Sequence, residues 1–535
     1  MQIKKSRQRS VNMKIERTQN TIKNIKAGLV LKIYQMVIPF AIRTIMIYVM
    51  GVQYLGLSSL FSSILNVLNL AELGVGSAMV FAMYRPIAHD DEETICALMR
   101  QYRKYYRVIG LVIGAAGLLL TPAIPHLITG DVPEGMNVYA LYLLNLGATV
   151  LTYWMFAYKN CVLQAHQRTD ICSSIAIVTY TLQCLLQIIV LVIYKNYYYY
   201  VIVALVAQAI NNIVTAVMAT KLYPQYRPAG KMSRDEIRTI RRKIMDIFTA
   251  KVGSVVLKSS DSIVISAFLG LSVLAIYNNY FFIVKSIIGV IEIILSSMMA
   301  GLGNSYVTET KEKNYMDLEK FTFMFLWLTG VCTCCFLGMY QPFMEIWTGS
   351  ELMLGFGAVI CFAAYFFVYT LNRLLSIYKD AAGLWHEDRF RPLVTAIVNG
   401  GLNLWWINTW GIYGVLLSTV VSMVLIGMPW IIQNLFMSFF GRSLMRRYVS
   451  HLLRHVLLTV AAGALVCGFC IWLPIGPWPK LIVSALISVI VPNVLFLIFL
   501  RKDESFEQSV HFLDRITKHK LGLPKLLLSK NKETV

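Results

Sequence analysis

Residues 57–84 read LSSLFSSILNVLNLAELGVGSAMVFAMY, an apolar run with a single acid, Glu72, near its middle. About 20 apolar residues cross the hydrocarbon core of a bilayer, and a carboxylate at that depth costs about 2.5–3.5 kcal/mol or more if it faces lipid. Glu72 must therefore be received by other groups. Asn66 and Asn69 precede it, and Gly74 and Gly76 follow, residues that permit close packing or a bend in the span. Runs of this length recur along the chain. Of its 535 residues, 57% are hydrophobic and 14% charged, with a mean hydropathy of +0.61, whereas a soluble domain is about 25% charged. The composition predicts an all-α polytopic membrane protein. The net charge of +21 does not mark a nucleic-acid binder, because the basic residues lie between the apolar runs rather than on one soluble face.

Fourteen spans are expected, at 29–51, 57–84, 107–128, 138–163, 171–194, 197–222, 245–269, 274–301, 321–347, 355–379, 391–408, 411–437, 452–473 and 478–500. Basic clusters fall on alternate sides. Eight Lys and Arg residues between Lys4 and Lys26 precede the first span, Arg100 to Arg107 follow the second, Arg227 to Lys243 the sixth, and Arg442 to Arg447 the twelfth. The opposite loops offer Lys195 and Lys480, so both termini are expected in the cytoplasm. YKNYYYY (194–200), NLWWINTW (403–410) and PWP (477–479) then fall at the outer ends, where amphipathic rings prefer the headgroup level. Residues 1–28 are too basic, and followed by too interrupted a run, for a secretory signal; a cytoplasmic amphipathic helix is expected. The ten cysteines, including CTCC at 332–335, fall in spans or on the cytoplasmic side, so free thiols are expected, with no His or carboxylate in register to make a metal site.

The halves of the chain echo each other at an offset of about 219 residues, with Gly51 over Gly270, Leu55 over Leu274, Ser77 over Ser296, and Thr129 and Gly130 over Thr348 and Gly349. With one residue added, Tyr158 and Lys159 overlie Tyr378 and Lys379. Six spans per half make the repeat parallel, two bundles with a cleft between them. The expected organisation is a basic segment at 1–28, six-helix bundles at 29–222 and 245–437 joined by a basic linker at 223–244, two added helices within 452–500, and a cytoplasmic tail at 501–535. Part of that tail, LGLPKLLL (521–528), suits a membrane surface. Two unlike halves around one cleft suit alternating access better than a channel.

Charges inside the spans cluster on polar faces. Lys32 and Arg43 share a stripe of the first span, and Lys251, Lys258 and Asp261 a stripe of the seventh. The eighth adds Lys285 and Glu292, and the tenth Arg373. At 1.5 Å per residue Glu72 and Arg43 lie about 18 and 20 Å from the inner ends of their spans, so Glu72 is expected to receive Arg43 or to compete with a substrate anion for it, with local satisfaction of both by helix packing as the alternative. Cations outnumber acids. Such a cleft suits an anion, and phosphate or pyrophosphate is the commonest large polyanion that Arg and Lys recognise, which makes Arg43, Lys251, Lys258, Lys285, Arg373 and Lys32 the candidate substrate contacts. Snorkelling to the interface also accounts for Lys32. No G-x-x-x-x-G-K-[ST] loop appears, and no catalytic residue is assigned.

GLSSLFSSILNVLNLAELGVGSAMVFAMYRPIA (56–88), with the YRKYYRVIG stretch and VLQAHQRTD (162–170), resembles the Wzx-like polysaccharide flippases of the multidrug/oligosaccharidyl-lipid/polysaccharide (MOP) exporter superfamily, over about residues 20–445. The resemblance implies a V-shaped pair of six-helix bundles in the bacterial inner membrane that moves undecaprenyl pyrophosphate-linked oligosaccharide to the outer leaflet for surface polysaccharide assembly. It also implies pyrophosphate handling at Arg43, Lys251 and Lys258, no cofactor, and coupling to Na+ or H+ through Glu72, Asp261 or Glu292. Membrane lipids, and a polysaccharide polymerase or glycosyltransferases, are the partners it suggests. A multidrug and toxin extrusion (MATE) antiporter shares the architecture and stands as the alternative. A membrane glycosyltransferase or polymer ligase would need a larger extramembrane domain with acids and histidines.

Overall fold

Gly51 and Gly270, 219 positions apart, both turn the chain at positive φ (108° and 90°), and so do Gly130 and Gly349 (85° and 82°), again 219 apart. The echo between the halves is thus present in the backbone, at positions where a side chain would be strained. A computed structural model describes residues 2–130, 132–133 and 135–516, and side chains from residue 23 onward other than those of residues 25, 250, 258, 300 and 516. All its described elements are helical. LGLPKLLL lies outside the described residues.

The first compact unit ends at Ala275. α1 (Gln2–Val49) runs unbroken from the basic segment through Pro39 into the first span. α2 (Val52–Leu68) stops in the middle of the second span; a 3-10 turn at Asn69–Glu72 and Gly74 at φ 91° intervene before α3 (Val75–Ala88). The bend expected from the glycines falls there. α4 (Glu92–Leu120) starts at Asp91, whose carboxylate accepts from the Thr94 N–H at 3.0 Å, with Glu92 and Glu93 in the first turn beside the positive end of the helix dipole. These Thr94 hydrogen bonds hold the Asp91 carboxyl below its usual range. α5 (Val138–Trp154) and α6 (Asn160–Ala165) follow, the chain bending by 46° at the short break between them. α7 (Thr169–Ile189), α8 (Tyr197–Leu222) and α9 (Arg234–Leu269) complete the unit. α9, expected to head the second bundle, packs against α2 and α3. Its far end is tied to the loop before α5, with Ser266 Oγ donating to Leu127 O at 2.7 Å and the Thr129 N–H donating to Ser266 O at 3.1 Å.

The second unit begins at Ile276, inside α10 (Leu271–Thr308). α11 (Lys311–Thr348), α12 (Phe356–Ala381), α13 (Arg391–Trp410), α14 (Ile412–Ser422) and α15 (Met428–Leu435) follow, then α16 (Arg442–Ile471), α17 (Pro477–Leu500) and α18 (Glu504–Ile516). α11 is its centre, packed against α12, α16, α17 and α18. Gly330 and Gly338 lie under Phe496 and Ser488 with no room for a Cβ, so the two added spans sit close on α11. Cys334, Val466, Phe496 and Phe506 make their shared core. All ten cysteines are free thiols.

Among the described residues twelve helices are long and apolar enough to span, and the bent pair α5–α6 makes a thirteenth where it is counted as one span. The remaining expected span is α13, a 20-residue helix whose buried Asn399 and Asn403 dilute its hydropathy. Its length is what about 30 Å of hydrocarbon requires. The architecture is therefore compatible with fourteen.

Candidate functional site

Glu72 sits where the second span loses its helix, and its carboxylate is received by phenols. Tyr106 Oη donates to Oε1 at 2.7 Å, and Tyr153 Oη lies 3.1 Å from Oε2 and 3.1 Å from Asn69 Oδ1. Tyr106 takes its own hydrogen bond from Tyr102 at 2.6 Å. Tyr102 and Tyr106 are four residues apart on one face of α4, and Tyr153 stands near the end of α5, edge-on to Tyr106 at 5.4 Å. Two phenols therefore converge on one half-buried carboxylate, whose oxygens accept from them. Arg43 is thus not needed as its counterion, a correction with a physical cause: the 3-10 turn packs against α4 and delivers Glu72 to that helix. The break also brings backbone close to α9, since a Cβ on Gly74 would stand 3.0 Å from Ile244 O and from the Ile247 Cβ.

Arg43 is half-buried on α1, with the Tyr200 phenol of α8 in electrostatic reach, and Lys32 is half-buried nearer the start of that span. On α9, Asp261 is buried beside Ser262, Lys251 is exposed, and the Lys258 side chain lies outside the described residues. In the second unit Arg373 Nε lies 3.8 Å from Glu292 Oε1, and Tyr369 Oη donates to the same oxygen at 3.3 Å. Both members of that pair are about two-fifths exposed, at 40% and 38%. Lys285, also exposed, stands seven residues before Glu292 and so on the same side of α10. The second unit therefore brings three of the expected residues to one region.

No family model and no curated protein sequence matches the chain. Solved structures do. The lipid II flippase MurJ in an inward closed conformation superposes with a TM-score of 0.65 at 14% identity, covering 90% of this chain and 99% of its own. An inward-facing multidrug-resistance MATE transporter of the MOP superfamily gives 0.56 at 15% identity, covering 79% and 99%. A variant of the Vibrio cholerae MATE transporter VcmN gives 0.52 at 15%, covering 78% and 96%. This chain has the MurJ/MATE fold.

Within that fold one ionic network escaped the sequence. At the end of α12 the buried Lys379 lies 3.4 Å from Asp388, which Arg391 grips through two bonds of 2.7 and 2.9 Å. Asn434 of α15 donates to Glu387 O at 3.1 Å and closes the corner. Lys379 pairs with Asp380 as well, so two cations meet two acids and no surplus charge remains for a ligand. In the first unit the corresponding corner carries Arg168 bonded to Asp170 at 3.0 and 3.3 Å. The i,i+3 spacing of Asp388 and Arg391 was the available signal.

Proposed function

We propose that the protein is a flippase that carries polyprenyl pyrophosphate-linked oligosaccharide from the inner to the outer leaflet by alternating access, for cell-surface polysaccharide assembly. One observation carries the proposal: Glu72, the acid in the middle of the second span, is satisfied by Tyr106 and Tyr153 and so consumes none of the intramembrane cations. The six expected cations still outnumber the three expected acids with Arg373 paired to Glu292, and a positive surplus suits a diphosphate. Arg43, Lys251, Lys258, Lys285 and Arg373, with Lys32 nearer the interface, are the proposed contacts, each offering N–H donors to phosphate oxygens. The flippase superposition also extends over 90% of the chain against 79% for the MATE transporter, a difference of the size of the last two spans.

Glu72, Asp261 and Glu292 are the groups proposed to couple transport to Na+ or H+. Glu72 is the most suited to it, because a carboxylate at a helix break has released backbone carbonyls beside it as further oxygen ligands. That same feature favours a second reading, a MATE-type antiporter of cationic compounds. Mass spectrometry of lipid-linked intermediates in a strain depleted of the protein, beside drug-resistance profiling, separates the two. Accumulated pyrophosphate-linked oligosaccharide with unchanged drug sensitivity is the expected result; unchanged glycolipid pools with altered drug sensitivity would overturn the proposal.

A further inference from the structure

One cavity belongs to no part of the transport reading. α11, α16 and α18 enclose about 360 Å³ at the polar end of the added spans, walled by Phe323, Leu326 and Leu452 and by Glu319, His451 and His455. The Glu319 side chain is only 10% exposed; it accepts from Tyr315 Oη at 2.7 Å and has His451 Nδ1 at 3.4 Å and Arg447 Nε at 3.6 Å.

His455 is 6% exposed, and its Nδ1 lies 2.9 Å from the carbonyl oxygen of His451. A carbonyl oxygen only accepts, so Nδ1 carries the hydrogen and Nε2 of the neutral ring is a bare acceptor. Because Nδ1 is turned back onto its own helix, Nε2, across the ring from it, is directed away from that carbonyl, and Phe323 of α11 packs edge-on against the ring at 5.1 Å. Nε2 is buried and has no hydrogen-bond partner among the described residues. An acceptor left that way has lost the hydrogen bond it makes in water, which a donor from a ligand would restore.

The charge of the lining selects the donor. Glu312, Glu319 and Glu504 face a single arginine, Arg447, while Asp503 is paired with Arg454. We propose that this cavity binds a primary ammonium group, whose three N–H donors meet Glu319, His455 Nε2 and the acidic mouth. Two sources offer that chemistry, the ethanolamine headgroup of a membrane phospholipid and a free polyamine. A quaternary ammonium has the charge without the N–H groups and should not satisfy His455.

Native mass spectrometry of the full-length protein with equimolar phosphatidylethanolamine, phosphatidylcholine and phosphatidylglycerol is the test, with spermidine in a parallel thermal-shift titration. Loss of one charge-assisted hydrogen bond corresponds to roughly tenfold in affinity or more. Retention of phosphatidylethanolamine over phosphatidylcholine by that factor, lost in both Glu319→Gln and His455→Phe, assigns the lipid source. A spermidine shift lost in the same variants, without lipid selectivity, assigns the soluble one. Should one variant fail to fold, the other, with the wild-type lipid comparison, carries the result. Equal retention of the three lipids together with no spermidine shift, indifference to both substitutions, or binding of Zn2+ by the two histidines in place of the amine would overturn the proposal.

Discussion

Glu72 is held by two phenols, so each hydroxyl contributes a charge-assisted bond that Phe cannot supply. Tyr106→Phe and Tyr153→Phe should each lower thermal stability by about 1–3 kcal/mol, measured as unfolding of the purified protein in detergent. In the background of Glu72→Gln the same substitutions should cost clearly less, because the bond is then neutral; equal losses in both backgrounds would show that the phenols act through packing alone. His166 gives a second test. Its ring stacks on Tyr223 at 4.1 Å, and burial pushes it down to about 4 from an ordinary 6.5. Between those two values the unfolded chain takes up a proton that the folded ring refuses, so stability should fall as pH drops through that window, and His166→Gln should flatten the slope. The need for a partner at Glu72 was legible from depth alone, but its identity was not. Tyr106 and Tyr153 stand 34 and 81 positions away, and only the helix break turns the side chain toward them.

Among the elements, the glycine turns separate backbone strain from crowding. Gly51 and Gly270 occupy equivalent turns at positive φ, where any L side chain is strained by an order of 1–3 kcal/mol. A Cβ on Gly51 meets open space, whereas one on Gly270 would stand 2.6 Å from Thr129 O. Gly270→Ala should therefore destabilise more than Gly51→Ala in the same unfolding measurement, and equal losses would leave strain as the whole effect. Gly74→Ala should be costly as well, since it combines φ 91° with contact to α9. Spans and repeat were legible because apolar length and turn glycines are local signals. The packing of α9 on α2 and α3 was not, because it depends on the close approach that Gly74 permits and on bonds between Ser266 and the distant 127–129 loop. The basic stretch before the seventh span likewise reads as a linker in sequence, yet from Arg234 it is helix, opened by a Ser233–Glu236 capping box.

For the whole molecule, composition, span count and the 219-residue repeat predicted two six-helix bundles with two added spans, and the resemblance to MOP exporters implied the fold that the flippase and MATE superpositions show. Charge balance across the membrane interior was legible as a list of residues and not as an arrangement. Which acids spend cations depends on pairs such as Arg373 with Glu292, on different helices of the second unit. The proposed substrate follows from that balance, so it should respond to charge and not to side-chain bulk. Reconstitution of the purified protein in liposomes holding a fluorescent polyprenyl pyrophosphate-linked oligosaccharide measures this most directly, as the fraction of lipid that becomes accessible across the bilayer. Wild-type protein should speed that exchange, and Arg43→Gln and Arg373→Gln should slow it by roughly tenfold or more, as expected when a phosphate loses a charged donor. Exchange no faster than in empty liposomes, or equal rates in wild type and both variants, would contradict a cationic pathway for a lipid-linked diphosphate.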